Sequence, residues 1–316
     1  MEKDLKKMPT PAASSTESAS LSTTQARLVS KTFKKRSTWA SVWRQLRKNK
    51  GAIAGLVLLI IIIGVALAAP IIFDYNTDII QNNIRERRQP PSADHWFGTD
   101  EMGRDIFARV CYGARYSLAV GVVAVLFALV FGVTFGAAAG YIGGAFENIM
   151  MRLCDILSSI PSVLMAIAVV SALGKSTLNL MIAVGVASTA PFIRVARAAV
   201  LTVRNEEYIE AARAIAVPEW KIVVTHILPN SLSPIIVQAT LRVGSAIISA
   251  AQLSFLGLGV PAPAPEWGSM LSAGRIFIRD HSYMTLFPGL AIMVTVLSLN
   301  LIGDGLRDAL DPRLKR

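Results

Sequence analysis

Gly51 to Phe73 reads GAIAGLVLLIIIIGVALAAPIIF, 23 residues without one Asp, Glu, Lys or Arg. About 20 apolar residues carry a helix across the roughly 30 Å hydrocarbon core of a bilayer. This stretch is therefore a transmembrane helix, and it sets the search for others. A charged side chain at mid-bilayer costs about 2.5 to 3.5 kcal/mol on insertion scales, so charge-free gaps mark the remaining spans. Ser117 to Phe146, Ile156 to Gly174, Ser176 to Ile193, Ser231 to about Ser254 (interrupted by Arg242) and Ser282 to Gly303 supply five more. The expectation is an all-α integral membrane protein with six transmembrane helices. Composition agrees: 53% of the 316 residues are hydrophobic, 17% are charged, and the mean hydropathy is +0.50, outside the range of ordinary soluble domains.

The net charge of +11 points to nucleic acid only until the charges are located. Residues 1–50 hold 12 basic and 3 acidic groups, so the other 266 residues carry +2. With the N-terminus inside, basic residues in the connecting segments number 22 inside and 9 outside, which places both termini in the cytoplasm. The first apolar run starts too late and runs too long for a cleavable signal, so the N-terminus reads as retained. The layout is then a basic cytoplasmic tail over 1–50, a first span over 51–73, an extracytoplasmic segment over 74–116, a five-helix core over 117–304 and a short cytoplasmic tail over 305–316. Pro9 to Gln25, rich in Ser, Thr and Ala, is expected to be disordered. Trp39, Val42, Trp43 and Leu46 recur at helical spacing opposite Arg44, Arg47, Lys48 and Lys50, the pattern of a helix in the membrane interface.

Several apparent sites fail on spacing. Gly174-Lys175-Ser176 looks like the end of a phosphate-binding loop, but the required first glycine falls on Val169 and the segment follows an apolar helix. It reads as an interhelical turn. Gly257-Leu258-Gly259 lacks the third glycine of a dinucleotide site. Three histidines and no catalytic motif leave no visible active site, so the chain is read as no enzyme, with no cofactor. Cys111 and Cys154 read as small hydrophobes. Asp94, His95, Asp100, Glu101 and Asp105 read as solvated interface residues rather than metal ligands.

The connector between the fourth and fifth spans, residues 204–230, carries the strongest functional pattern. On a helix, Tyr208, Ala211, Ala212 and Ile215 share one face, joined by Ile209 and Ala216, while Glu206, Glu207, Glu210 and Arg213 lie elsewhere. Pro218 and Pro229 predict bends at 216–218 and again at 229. The result is a helix–turn–helix with a flat, alanine-rich face, suited either to docking a partner or to lying on the membrane.

Glu210-Ala211-Ala212, followed by His226-Ile227-Leu228-Pro229-Asn230, resembles the EAA loop of bacterial ABC importer permeases. Phe97 to Asp105 (FGTDEMGRD), Leu253 to Gly259 (LSFLGLG), Pro265-Glu266-Trp267-Gly268 and Gly303 to Pro312 (GDGLRDALDP) are similar to the dipeptide/oligopeptide branch, its second or "C"-type permease. The resemblance covers the chain from about residue 40 onward. It implies a type I ABC importer permease fold in the bacterial cytoplasmic membrane, and uptake of di- or oligopeptides; glutathione or nickel complexes are the alternatives within the same architecture. It further implies a paralogous permease partner, two cytoplasmic ATPases that hydrolyse the ATP, and an extracytoplasmic peptide-binding protein. The coupling helix that enters an ATPase groove maps to Tyr208, Ile209, Glu210, Ala211, Ala212, Ile215 and Ala216. Ala216 stands where the family usually has Gly, so a left-handed turn there would be strained. A stand-alone secondary transporter, the rival class, would need a coupling carboxylate within the membrane and internal repeats; only Asp155 lies near a span boundary.

Within the spans, Gly132, Gly136 and Gly140 form a stripe suited to helix packing. Pro161 and Pro191 are positioned to kink their helices. Arg242, about midway along the fifth span, forms with Gln238, Ser245 and Ser249 a polar stripe that lines a translocation pathway or bonds between helices. The segments 74–116 and 254–285, with Trp96, Phe97, Trp267 and three prolines, are expected to cap the pathway and receive the binding protein, or to anchor at the interface.

Overall fold

The computed structural model describes residues 38–310. The expected disordered tail over 9–25 and the last six residues lie outside the described residues. Thr38–Leu46 (α1) is helical, in keeping with its apolar spacing. The chain divides into two units between Arg44 and Gln45, and every later element belongs to the second. Those elements are Lys50–Ile72 (α2), Ile106–Ile142 (α3), Gly144–Ser159 (α4), Ser162–Leu173 (α5), Thr177–Arg204 (α6), Glu207–Ala214 (α7), Glu219–Phe255 (α8), Trp267–Gly274 (α9) and Tyr283–Leu310 (α10). Among the described residues the sole strand-like pairing is a bridge between Thr99 and Asp105.

Five helices, α2, α3, α6, α8 and α10, are long and apolar enough to cross a membrane. The sixth crossing differs from the single helix expected over Ile156 to Gly174. α4 and α5 meet at a 91° bend, and together they make one broken span or a re-entrant segment. The cause is Pro161, which forces Ile160 into extended backbone at φ −93°, ψ 127°. The 12 residues of α5 rise only about 18 Å, too short to cross alone. α4 is held on α6 by two ion pairs: Arg194 donates to Asp155 at 2.9 Å, and Arg197 pairs with Glu147, its Nε at 2.6 Å. By contrast, Pro191 lies inside α6 without ending it, and Pro229 does not produce the expected bend. Its missing N–H falls where a π-helical turn, Val223–Ile227, widens the helix. The stretch from Glu219 to Phe255 therefore continues as one helix.

Small residues set how closely the helices approach, because lipid gives no hydrophobic drive for helix association. On α2, Gly55 lies against the Ser298 carbonyl and Leu301 of α10, while Ile71 on the other side is 87% exposed. On α3, Gly132, Gly136 and Gly140 sit against Phe192, Ile193, Arg197 and Val200 of α6; a Cβ on any of them would collide. The expected stripe is thus the seam between α3 and α6. Gly174 and Ser176, the would-be phosphate loop, form the α5–α6 turn: Gly174 has φ +87°, and the Ser176 hydroxyl accepts from the Asn179 N–H at 3.1 Å.

At the α3 N-terminal end, Asp94 is exposed as expected, but His95, Glu101 and Asp105 are half-buried and Asp100 is buried. Asp100, 7% exposed, accepts from the Met102 and Arg104 N–H groups and from Arg104 Nε at 2.7 Å, and lies 3.5 Å from Arg109 Nε. Arg109 donates to the Ile79 carbonyl, and Asp105 caps α3 while its other oxygen meets His95 Nδ1 at 2.7 Å. The FGTDEMGRD stretch is a knot that fixes where α3 begins. Trp267 is buried, its indole N–H on the Val110 carbonyl at 2.9 Å, so it is a core residue and not an interface anchor. Phe97 stacks on Phe287, whereas Trp96 is exposed.

Glu266 caps α9 and joins three elements. Its carboxylate accepts from the Gly268 and Ser269 N–H groups and the Ser254 hydroxyl, each at 2.8 Å, and from Ser117 at 3.5 Å. Burial pushes its carboxyl above the usual range.

Two outcomes follow from this packing. Gly136→Leu is expected to cost about 3 kcal/mol by overpacking and to lower the thermal midpoint in detergent; Gly64→Leu, where a side chain meets nothing, leaves it unchanged. The folded pKa of Glu266 lies above its unfolded value, so its contribution to stability is full at low pH and falls as pH rises through the folded value. In Glu266→Gln that part of the pH dependence disappears, as thermal midpoints measured across pH will report.

Candidate functional site

The connector over 204–230 is built from the end of α6 upward. Arg204 donates from Nη1 to the Gly140 and Tyr141 carbonyls at 3.0 and 2.9 Å, satisfying the exposed C-terminal end of α3. That contact spans 64 residues of sequence, so no local pattern announced it. The chain then turns at Asn205, and α7 begins with Glu207 and Glu210 in its first turn, where negative charge suits the helix dipole.

The face anticipated from sequence divides in two. Ile209 and Ala212 are buried, with Ala137, Val200, Ile222 and Ile227, in a small apolar cluster. Tyr208, Glu210, Ala211, Ile215 and Ala216 are exposed, Ile215 at 77%. Ala212 therefore does not belong to an outward docking surface. Trp220 and Val224, at the start of α8, are exposed as well and extend the apolar surface; neither stood out in the sequence, because Trp220 sits alone between Glu219 and Lys221 and Val224 ends an apolar run whose buried side spacing does not reveal.

α7 ends at Ala214 in a full Schellman arrangement. The Val217 N–H bonds the Ala212 carbonyl at 3.1 Å, and the Ala216 N–H bonds that of Arg213 at 2.9 Å. The residue between cap and exit is Ala216, at φ +56°. The strain expected from alanine in a glycine position is present. Val217 packs back onto the Ile209 cluster, which offsets part of it, and Pro218 opens α8. Arg213 lies over the Tyr141 ring at 5.8 Å.

The second candidate group does not open on one cavity. Gln238 lines a 670 Å³ cavity between α6, α8 and α10, with Asn230, Ser233 and Arg307. Arg242 lines a separate 220 Å³ cavity at the α4–α5 bend. Ser245 is exposed and bonds its own helix at the Leu241 carbonyl, 3.4 Å away, and Ser249 is half-buried.

The molecule is thus a multi-span helical bundle with a rigidly seated loop exposed at the end opposite the Phe97–Asp105 knot. Its residues 132–316 match the family described as "Binding-protein-dependent transport system inner membrane component", and residues 37–91 match the "N-terminal TM domain of oligopeptide transport permease C". The chain is 50% identical, over 88% of its length and 91% of the relative's, to the dipeptide transport system permease protein DppC of Alkalihalophilus pseudofirmus. It is 44% identical to the glutathione transport system permease protein GsiD of Escherichia coli O157:H7, over 89% and 92%. A chain of the inward-facing MetNI methionine ABC transporter matches in fold, with a TM-score of 0.53 at 18% identity, covering 64% of this chain and 96% of that one. The chain belongs to the binding-protein-dependent transport system inner membrane component family. It is a multi-pass permease subunit of the ABC importer class, as the EAA-type loop implied.

Relief of the Ala216 strain is directly measurable. Ala216→Gly is expected to stabilise the loop by about 1 kcal/mol, roughly five-fold slower amide exchange over residues 212–217. Ala216→Val accelerates exchange there.

Proposed function

We propose that this chain is one of two related permeases of an importer for dipeptides and short peptides, driven by two ATPase subunits and fed by an external peptide-binding protein. The observation that carries the peptide assignment is 50% identity over nearly the whole chain to a dipeptide permease. The glutathione permease relatives favour a second reading within the same chemistry, since glutathione is itself a peptide with free carboxylates. Both termini and α7 face the cytoplasm, and the Phe97–Asp105 knot with α9 faces outward to receive the binding protein. The surface of Tyr208, Ala211, Ile215 and Ala216, widened by Trp220, enters a groove of one ATPase. Glu210 orients it, and Ile209 and Ala212 fasten α7 to α6 and α8.

In this mechanism the ATPase moves α7, and the buried cluster passes the motion on. The inward residues of α7 are packed against Val200 and Ile222, so a push on Tyr208 or Ile215 displaces α6 and α8. The ATP chemistry stays in the partner. The chain contributes rigidity, a shaped contact and half of the pathway.

Ala211→Arg, on the outward face, is expected to insert normally but to lose about 2 kcal/mol of ATPase docking, roughly 30-fold in affinity, and with it peptide uptake. Ala212→Arg instead places a charge in the buried cluster and lowers the amount of folded protein. Normal ATP-coupled uptake by Ala211→Arg contradicts the assignment. For the substrate, uptake of alanyl-alanine against glutathione by the complete transporter decides between the two readings.

A further inference from the structure

We propose that the cavity at the α4–α5 bend is a station for the free carboxylate of a peptide in transit, with the Arg242 guanidinium as the group that recognises it. This rests on the peptide-uptake reading above and adds to it the chemical group that the membrane-embedded part of this chain selects.

The cavity holds 220 Å³ and is walled by the bend itself (Ser158, Pro161, Ser162), by Ala187 and Pro191 of α6, and by Arg242 of α8. Arg242 is half-buried, and among the described residues the structure gives it no ion pair and no hydrogen bond. No residue lining the cavity is acidic. Asp155, on the same bent segment, is already taken by Arg194 at 2.9 Å. A permanent cation at membrane depth costs about 2.5 to 3.5 kcal/mol, and the usual ways to offset it, a counter-ion on a neighbouring helix or a bonded carbonyl, are not used here. What remains is a positively charged cavity whose anion must come from outside the chain.

The rest of the lining fits a peptide end. A guanidinium presents a planar fork that binds a carboxylate through two parallel hydrogen bonds. The hydroxyls of Ser158 and Ser162 border the same space. On the α6 wall Pro191 has no N–H, so its usual bond to the Ala187 carbonyl one turn back is not made. α5 opens into the bend at Ser162 with no side chain capping its first N–H groups, which adds to the positive potential that Arg242 already sets. A donor fork in a cavity without acidic lining suits the carboxylate of a short peptide, and it excludes an ammonium group from the Arg242 side.

The test uses the complete transporter in proteoliposomes, with initial uptake of alanyl-alanine and of alanyl-alanine amide at saturating binding-protein occupancy. The ratio of variant to wild type for each peptide cancels the preference of the binding protein. Arg242→Gln is expected to reduce uptake of the free-carboxylate peptide roughly 10-fold and of the amide by no more than about two-fold, with Arg242→Lys recovering part of the loss. Ser162→Asp, which leaves Arg242 in place but fills the cavity with a competing carboxylate, should lower uptake of the acid and spare the amide. Equal loss of both peptides in these variants, or no loss of either, overturns the proposal. If Arg242→Gln does not accumulate in the membrane, Arg242→Lys and Ser162→Asp decide the matter alone. Failure of the peptide reading itself is separate: the wild-type transporter would then take up neither peptide, before any variant is compared.

Discussion

The close seam between α3 and α6 is the contact on which the rest depends. Gly132, Gly136 and Gly140 bring the two backbones to a distance that no larger residue permits, and in a bilayer this packing replaces the hydrophobic force that assembles soluble bundles. Three structures hang from it. α4 is clamped to α6 by the Asp155–Arg194 and Glu147–Arg197 pairs. Arg204 reaches from α6 to close the end of α3. α7 rests on Val200 of α6 and Ala137 of α3, through Ile209 and Ala212. A force applied at α7 therefore meets a doubled helix rather than a single flexible one.

The loop proposed to couple to the ATPase carries local strain. A Schellman ending makes the chain leave α7 sharply toward Pro218, and that exit needs positive φ at Ala216. Alanine tolerates the conformation at a cost of about 1 to 2 kcal/mol. The exit angle is held by two backbone hydrogen bonds and by Val217 in the cluster below. What the turn achieves is orientation: it leaves Tyr208, Ile215 and Trp220 outward while their neighbours are buried.

Much of this was legible in the residues because insertion energetics are local. A run such as Gly51 to Phe73 has no soluble alternative, and charge-free gaps locate the other spans. Spacing alone also identified the glycine stripe and the α5–α6 turn at Gly174, whereas the strained alanine was flagged by the resemblance to the permease family. What escaped depended on partners distant in sequence. Pro161 breaks its span, whereas Pro191 sits inside α6 without ending it and a π turn absorbs Pro229. Asp100 looks like a surface acid until Arg104 and Arg109 close over it. Helical spacing puts the small residues of α7 on one flat face but cannot say which side the bundle covers; Ala212 and Ala211 differ only in that. Gln238 and Arg242, one turn apart on α8, look into different cavities for the same reason.

The central claim is that the outward face of α7 is the mechanical contact with the ATPase. The most direct measurement is site-directed cross-linking in the assembled transporter, with a short cysteine-to-cysteine or photoactivated linker placed at Ile215→Cys and, as a buried reference, at Ile209→Cys. The expected result is a cross-link from position 215 to an ATPase subunit that changes in yield between nucleotide-free and ATP-bound states, and none from position 209. Position 215 remaining unlinked and equally open to water-soluble thiol reagents with and without the ATPase would contradict the claim.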